Sequence, residues 1–137
     1  MKSAEEGSFA APLSHRVTAG EHASGIADAV VATWQEIATA LSPLIGERGV
    51  AALYKRSLFL TANKHPWLAS AYEGLQGPMD LPTLNAVLSQ QTPAFAAAGG
   101  TALFQTFYEL LTSLVGASLT ERLLRPVVDV HSTGDAA

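Results

Sequence analysis

The strongest pattern in the chain is a helical stripe of apolar residues that starts after His22. Its members recur at intervals of three or four residues: Ile26, Val30, Trp34, Ile37, Leu41 and Leu44. Polar side chains such as Asp28 and Gln35 fall away from this stripe. Such spacing is typical of an amphipathic α-helix with one buried face. Gly46 is predicted to end this helix, because glycine readily adopts the positive φ found at helix C-termini.

Pro43 lies inside this predicted helix. A proline in a helix interior lacks the amide hydrogen and clashes with the carbonyl group four residues earlier. Two outcomes are compatible with the sequence. Either the helix kinks at Pro43, or it stops near Leu41 and Ser42 caps a new turn that has Pro43 at its first position.

Two helical segments are predicted between Gly46 and Gly74. The first covers residues 49–63, and its inner face offers Val50, Leu53, Tyr54, Ser57, Leu58 and Thr61. The second is a short helix over residues 66–73 that begins with Pro66 and ends before Gly74.

Capping signals start the next two predicted helices. Asp80 can cap a helix over residues 81–91, and Thr92 can cap a long helix that extends to Val115. The long helix is predicted to direct a set of large apolar side chains inward: Leu103, Phe107, Leu110, Leu111 and Leu114.

Glycines divide the second part of the chain. Gly99 and Gly100 are predicted to allow either a close approach of another helix or a kink. Gly116 is predicted to end the long helix. A capping box at residues 118–121 then opens a last helix to about Arg125.

The predicted fold class is all-α. No stretch alternates apolar and polar residues with hairpin turn chemistry, so no β-sheet is expected. We expect a helical bundle of about four main helices plus short connecting helices. Residues 1–20 are predicted to form a flexible N-terminal arm, residues 21–128 a single helical domain, and residues 129–137 a flexible C-terminal tail.

The chain also aligns with itself at an offset of 70 residues. Residues 34–55 align with residues 104–125 without a gap, and the identities are Gln35/Gln105, Leu41/Leu111, Leu44/Leu114, Gly46/Gly116 and Leu53/Leu123. One explanation is an internal duplication, which would make the fold two related helix–Gly–helix halves. The other is that any two amphipathic helices followed by glycine align moderately well, because their shared period forces it.

Composition and charge exclude several classes of function. Hydrophobic residues make up 48% of the chain and charged residues 15%, so we expect a folded domain. The absence of cysteine removes thiol nucleophiles, thiolate zinc sites and iron–sulfur clusters. The chain has a net charge of −4 and therefore lacks the positive electrostatic field that binding to duplex nucleic acid needs. Neither a signal peptide nor a membrane span is predicted, and we expect a cytoplasmic protein.

The common catalytic motifs are missing from the sequence. There is no G-x-S-x-G elbow, no G-x-x-x-x-G-K-[ST] loop and no H-E-x-x-H pair of metal ligands. None of the four histidines pairs with another at metal-ligand spacing. We therefore expect no catalytic residue, no metal site and no cofactor.

A local basic band interrupts this acidic chain. Residues 46–67 contain a single acidic residue, Glu47, but they hold four of the eight basic residues and a histidine: Arg48, Lys55, Arg56, Lys64 and His65. Such a band can bind a phosphate, a nucleotide or an acidic partner. It can equally be the solvated face of an amphipathic helix. These five residues are the candidate anion- or partner-binding site.

The aromatic residues divide into two groups. Trp34, Tyr54, Phe104 and Phe107 are expected in the core. Trp67 and Tyr72 lie in the short connecting segment and are candidates for a pocket rim or an interface, where amphipathic aromatic rings are favoured.

These observations favour a non-catalytic regulatory or protein-interaction domain of bacterial type, with a role in signalling, that self-associates as a homodimer. Self-association is expected because low charge leaves more apolar surface than a chain of this size easily hides. One alternative is a helical sensor that binds a small ligand or an anion. The other is a module similar to histidine phosphotransfer domains, which need an exposed histidine in mid-helix; His22 lacks a following lysine, and Pro66 interrupts the helix at His65.

Overall fold

The protein forms a bundle of helices. Its computed structural model describes residue 13 and residues 15–74 and 79–136. For residue 126 and residues 128–136 the backbone alone is described. Every regular element in these residues is helical and none is a β-strand, so the all-α prediction is confirmed. Each described helix is too short or too polar to cross a lipid bilayer.

Short connections join the helices. In chain order the elements are helix α1 (Ala23–Thr61), a 3₁₀ turn (Pro66–Leu68), and helices α2 (Ala69–Glu73), α3 (Leu81–Ser89), α4 (Pro93–Val115) and α5 (Ala117–Ala136). A further helical turn covers residues 15–18. Helix α1 packs against α3, α4 and α5 and therefore forms the spine of the bundle.

Helix α1 consists of two arms that meet at Gly46. This glycine has φ 81° and ψ 159°, which interrupts the helical backbone. We name residues 23–45 arm α1N and residues 47–61 arm α1C. Arm α1N continues through Pro43, so, of the two outcomes compatible with the sequence, the stop near Leu41 does not occur.

The same backbone geometry recurs where α4 meets α5. Gly116 has φ 91° and ψ 156°, close to the values at Gly46, and the expected positive φ of both glycines is confirmed. Buried residues also correspond at the offset of 70 residues: Trp34/Phe104, Ile37/Phe107, Leu41/Leu111, Val50/Thr120 and Tyr54/Leu124. The two helix–Gly–helix segments thus share their local geometry, while their common origin stays a prediction.

Trp34 occupies the centre of the core and is fully buried. Its ring centroid lies 4.9 Å from those of Tyr54 and Phe107, both in edge-to-face contact, and 5.3 Å from that of Phe104. Leu111 is also fully buried. The predicted core positions of these five residues are confirmed.

Gly99 and Gly100 bring α4 close to its neighbours. A Cβ atom on Gly99 would lie 2.5 Å from the ring of Trp67, and one on Gly100 would lie 2.8 Å from Cγ2 of Val30. Helix α4 is continuous through both glycines. The predicted close approach is therefore confirmed.

Side-chain caps begin α3 and α4 as predicted. The Oδ1 atom of Asp80 accepts a hydrogen bond from the amide of Thr83 at 3.2 Å. The hydroxyl oxygen of Thr92 accepts one from the amide of Phe95, also at 3.2 Å. These bonds satisfy amides that have no partner within their own helices.

Two predictions about inward-facing leucines are wrong. Leu44 is 52% exposed and Leu114 is 63% exposed. Each lies in the last turn before its glycine, one turn beyond the buried residues Leu41 and Leu111. Periodicity fixes which side of a helix faces inward, but the extent of the neighbouring elements fixes how far burial continues along it.

The ends of the chain are more helical than the sequence predicted. Helix α5 was expected to end at about Arg125, but it continues past Pro126 to Ala136. The backbone of residues 129–136, the predicted tail, belongs to this helix. Leu13, from the predicted N-terminal arm, is 4% exposed and joins the core. Residues 1–12 lie outside the described residues.

Candidate functional site

Arm α1C carries a groove that is lined by two basic and two aromatic side chains. The groove is open to solvent, has a volume of about 280 Å³ and is lined by Ala52, Lys55, Arg56, Phe59 and Tyr72. Tyr72 comes from α2 and the others from α1C. We name this site the basic groove.

Helical spacing explains why the α1C residues line one groove. Phe59 follows Lys55 by four positions and Arg56 by three, and residues at these spacings are neighbours on a helix surface. Ala52 precedes Lys55 by three positions, and its short side chain leaves space between the larger ones. The opposite side of the arm carries Tyr54 and Leu58, which are fully buried and fix the orientation of α1C.

Each cation of the groove lies over an aromatic ring. The Nζ atom of Lys55 is 5.9 Å from the ring centroid of Tyr72, and the Cζ atom of Arg56 is 5.7 Å from that of Phe59. The two rings contact each other, with centroids 5.5 Å apart and planes inclined by 53°. Such cation–π contacts contribute about 0.5–1 kcal/mol at exposed sites, so they position the cations without neutralising them.

The charged and apolar groups of the groove are both accessible. Phe59 is 46% exposed, and Lys55 and Arg56 are exposed as well. Neither cation forms an ion pair with a carboxylate of the described residues. Among those residues an ion pair joins Arg16 to Glu21, at 2.9 Å. The groove therefore offers two positive charges next to an aromatic surface.

The other residues of the basic band do not line this groove. Arg48 is exposed and lies two helical turns before Lys55, about 10 Å along the axis. Lys64 is exposed in the turn that follows α1. His65 is half-buried at the N-cap of the 3₁₀ turn, and its ring centroid is 6.1 Å from that of Trp67.

Trp67 and Tyr72 occupy different environments, although both were candidates for a rim. Tyr72 is half-buried and lines the basic groove. Trp67 is also half-buried, but its ring fills the space beside Gly99. Trp67 thus belongs to the packing of α4 and Tyr72 to the groove.

Sequence reasoning did not assign Phe59 to a site. The available signal was its spacing of three and four residues from Arg56 and Lys55, which predicts adjacent side chains on a helix. Its exposure depends on where α2 lies across α1C, and no local pattern gives that position.

A buried tyrosine lies on the opposite side of α1C. Burial in the core raises the pKa of Tyr54 above its ordinary value, and the negative charge of Asp80 raises this pKa further. Among the described residues, neither the Tyr54 hydroxyl nor the Nε1 atom of Trp34 has a hydrogen-bond partner. These polar atoms belong to the core and do not reach the basic groove.

Of the four histidines, His22 and His65 lie at the starts of elements, while His15 lies in the helical turn of residues 15–18 and His131 lies within α5. His22 is the N-cap of α1 and His65 the N-cap of the 3₁₀ turn, so neither lies in mid-helix. Within the described part of the chain, no three histidine, aspartate or glutamate side chains converge as they would around a metal ion. The positions of His22 and His65, the two histidines that were compared with phosphotransfer domains, therefore give no support to that alternative.

Comparisons of the chain with protein families, with curated proteins and with solved structures found no match. Function is therefore inferred from the charge and shape of the basic groove and from the exposed apolar residues.

Proposed function

We propose that this chain is a non-catalytic, cytoplasmic regulatory domain that binds an acidic segment of a partner protein in the basic groove. The observation that carries the proposal is the position of Lys55 and Arg56 beside the accessible rings of Phe59 and Tyr72. Carboxylates of the partner pair with the two cations. An aromatic or large apolar residue of the partner packs on the two rings.

The open shape of the groove favours a peptide segment over a small ligand. Small-molecule sites commonly enclose about 70–90% of the ligand surface, which an open groove of about 280 Å³ does not do. A peptide instead contacts such a groove with a few side chains and leaves its backbone in solvent. An interaction domain is therefore favoured over a small-ligand sensor.

Calorimetric titration tests the proposal with a short blocked peptide that contains acidic residues and one phenylalanine. We expect saturable binding that Lys55→Ala/Arg56→Ala weakens by about tenfold or more, because both charged contacts are lost. The matched control is Arg48→Ala/Arg122→Ala, which removes the same charge at exposed positions outside the groove and should change affinity by less than about threefold.

Two results would contradict the proposal. Equal weakening by both double variants would show that net charge, and not the groove, attracts the peptide. Equally tight binding of sodium phosphate alone would support an anion sensor instead.

Self-association is a second candidate function, and the two exposed leucines favour it. Leu44 and Leu114 occupy equivalent positions in the two helix–Gly–helix segments. Arm α1N and helix α4 contact each other through two equivalent pairs of residues: Val30 contacts Gly100, and Trp34 contacts Phe104. The helices therefore run in the same direction here, and both leucines lie at the same end of the pair.

Sedimentation at low and high salt tests this homodimer. Contact through apolar side chains should be insensitive to salt, and Leu44→Ser/Leu114→Ser should give a monomer. A wild-type chain that stays monomeric at tens of micromolar in both buffers would refute self-association. A dimer that dissociates as salt rises would mean that charged groups form the contact.

A further inference from the structure

The two glycine breaks form matching corners at one end of the bundle. We name residues 43–48 the first corner and residues 113–118 the second corner. Around them, residues 41–50 and residues 111–120 show the same succession of buried, half-buried and exposed positions. Because α1N and α4 run in the same direction, both corners lie at the same end. This end therefore presents two equivalent surfaces, each with an exposed leucine.

The two corners differ in charge. The first corner carries Glu47 and Arg48, which are both exposed. The corresponding residues of the second corner are Ala117 and Ser118, and this corner contains no charged residue. Neither Glu47 nor Arg48 forms an ion pair with a described residue, and consecutive residues of a helix point in different directions. The first corner thus offers one accessible charge of each sign.

We propose that a second copy of this chain docks on this end of the bundle, with first corner against first corner and second corner against second corner. A two-fold axis relates the two copies. Glu47 of each copy pairs with Arg48 of the other, and Leu44 and Leu114 pack against the same leucines of the other copy. This inference rests on the self-association proposed above and adds the geometry of its interface.

Two-fold symmetry makes the contact between the charged residues reciprocal. In such a dimer, a contact from one residue to a second is repeated from the second to the first. A Glu47–Arg48 contact between the copies therefore occurs twice, and both contacts are attractive. A corner with charges of a single sign would instead bring like charges together at the axis. The neighbouring opposite charges of the first corner thus fit a second copy of this chain.

The charges also select one of two possible arrangements. The leucines alone permit both, because each corner carries one: like corners can meet, or the first corner of each copy can meet the second corner of the other. In this crossed arrangement Glu47 and Arg48 face Ala117 and Ser118, so the charges lose water without gaining a charged partner. Contact between like corners avoids this cost, which is how a specific interface excludes a competing one.

The leucines and the charges have different roles in this interface. Removal of apolar side chains from water drives most protein association, whereas ion pairs between exposed groups add little affinity. The dimer should therefore persist as salt rises. Reversal of one charge should have a larger effect than screening, because it replaces two attractive contacts with two repulsive ones.

Charge reversal in the full chain, followed by sedimentation equilibrium, tests the reciprocal pairs. Glu47→Arg alone and Arg48→Glu alone should each raise the dissociation constant of the dimer about tenfold or more, because like charges meet at both contacts. An equimolar mixture of the two variants should form a heterodimer with about the wild-type affinity, because opposite charges meet again. The matched controls are Glu73→Arg and Arg125→Glu, which reverse exposed charges outside the corners and should change the constant by less than about threefold.

Cysteine cross-linking distinguishes the two arrangements, because the sequence contains no cysteine. Ser118→Cys places a thiol in the second corner, and the two thiols of a dimer approach each other when like corners meet. A disulfide between two copies should then form several-fold faster than for Ser70→Cys, which is exposed in α2. In the crossed arrangement residue 118 meets the first corner of the other copy, and Ser118→Cys should react no faster than this control.

The outcomes separate this inference from self-association in general. A wild-type chain that stays monomeric at tens of micromolar would overturn both. If Leu44→Ser/Leu114→Ser dissociates a wild-type dimer but the charge variants behave like their controls, self-association stands and this inference alone fails. A mixture of Glu47→Arg and Arg48→Glu that associates as weakly as each variant alone would also overturn the inference, as would equal cross-linking at positions 118 and 70.

Discussion

The Cγ2 atom of Val30 lies 2.8 Å from the position that a Cβ atom on Gly100 would occupy. These two residues are equivalent at the offset of 70 residues, so the two helix–Gly–helix segments meet at corresponding positions. Because Gly100 has no side chain, α4 can approach arm α1N more closely than it could if a Cβ atom were present. This contact lies in the core beside Leu13, whose Cδ1 atom is 3.4 Å from the same position.

Gly100→Ala should destabilise the fold by about 1–3 kcal/mol, because the added methyl group forces Val30 or the helix backbone to move. Urea denaturation measures this change as a lower midpoint. The matched control is Gly25→Ala, also within a helix, where the methyl group would meet the flexible side chain of Glu21. The control should change stability by less than about 1 kcal/mol, because alanine favours the helix and the Arg16–Glu21 ion pair that the methyl group displaces is partly exposed. Equal midpoints for the two variants would contradict the close-approach argument.

Gly46 and Gly116, the glycines of the two helix–Gly–helix segments, should also be intolerant of a side chain, but for a different reason. In the part of the chain that the structure describes, no atom lies within 4 Å of a Cβ on Gly46 or Gly116, so space is not limiting. Their positive φ combined with ψ near 160° is a backbone region that is almost restricted to glycine. Gly46→Ala and Gly116→Ala should each lower the free energy of unfolding by about 1–3 kcal/mol, as measured by urea denaturation. A change below about 0.5 kcal/mol in both would show that the break does not need glycine.

Much of the fold could be predicted from local sequence signals. Asp80, Thr92, Gly46 and Gly116 act through bonds and dihedral angles of their own neighbourhood, so their roles could be read without knowledge of the tertiary structure. The buried position of Trp34 followed from periodicity alone.

What could not be predicted depends on contacts between distant elements. The exposure of Leu44 and Leu114 depends on how far neighbouring helices extend, and the basic groove depends on where Tyr72 of α2 lies beside Phe59. Of the five residues in the basic band, Lys55 and Arg56 line that groove. Sequence identified their charge, but not the aromatic rings that accompany it.

The corrected inner face of α4 can be tested with two leucines. Leu111→Ala should cost about 2–5 kcal/mol, because it removes a fully buried side chain and leaves a cavity. Leu114→Ala lies three residues further on and should change stability by less than about 0.5 kcal/mol, since the side chain is 63% exposed. Similar losses for both, measured by thermal or urea denaturation, would contradict the observed orientation of the helix.

Tyr54→Phe should leave stability at neutral pH unchanged or raise it slightly, because it removes a buried hydroxyl that no described residue contacts through a hydrogen bond. Alkaline pH should distinguish the variant more clearly. Burial and Asp80 raise the pKa of Tyr54 in the folded chain, whereas an unfolded tyrosine loses its proton near pH 10. The unfolded state therefore releases a proton first, and wild-type stability falls as pH rises above about 10.

Urea midpoints between pH 7 and pH 11 measure this effect. The Tyr54→Phe variant should lose less stability than wild type above about pH 10, with a difference that grows by up to about 1.4 kcal/mol per pH unit. Tyr72→Phe serves as the control, because that ring is half-buried in the groove and not in the core. Parallel curves for wild type and Tyr54→Phe would contradict the burial argument.

The central claim is that the basic groove binds acidic segments, and amide NMR shifts during titration with the acidic peptide test it most directly. The largest saturable changes should fall in residues 52–59 and in α2, and raising the salt to about 0.5 M should weaken the binding because exposed charges carry it. Changes centred on Leu44 and Leu114 instead, or an affinity that salt leaves unchanged, would contradict the assignment of Lys55 and Arg56 as the binding residues.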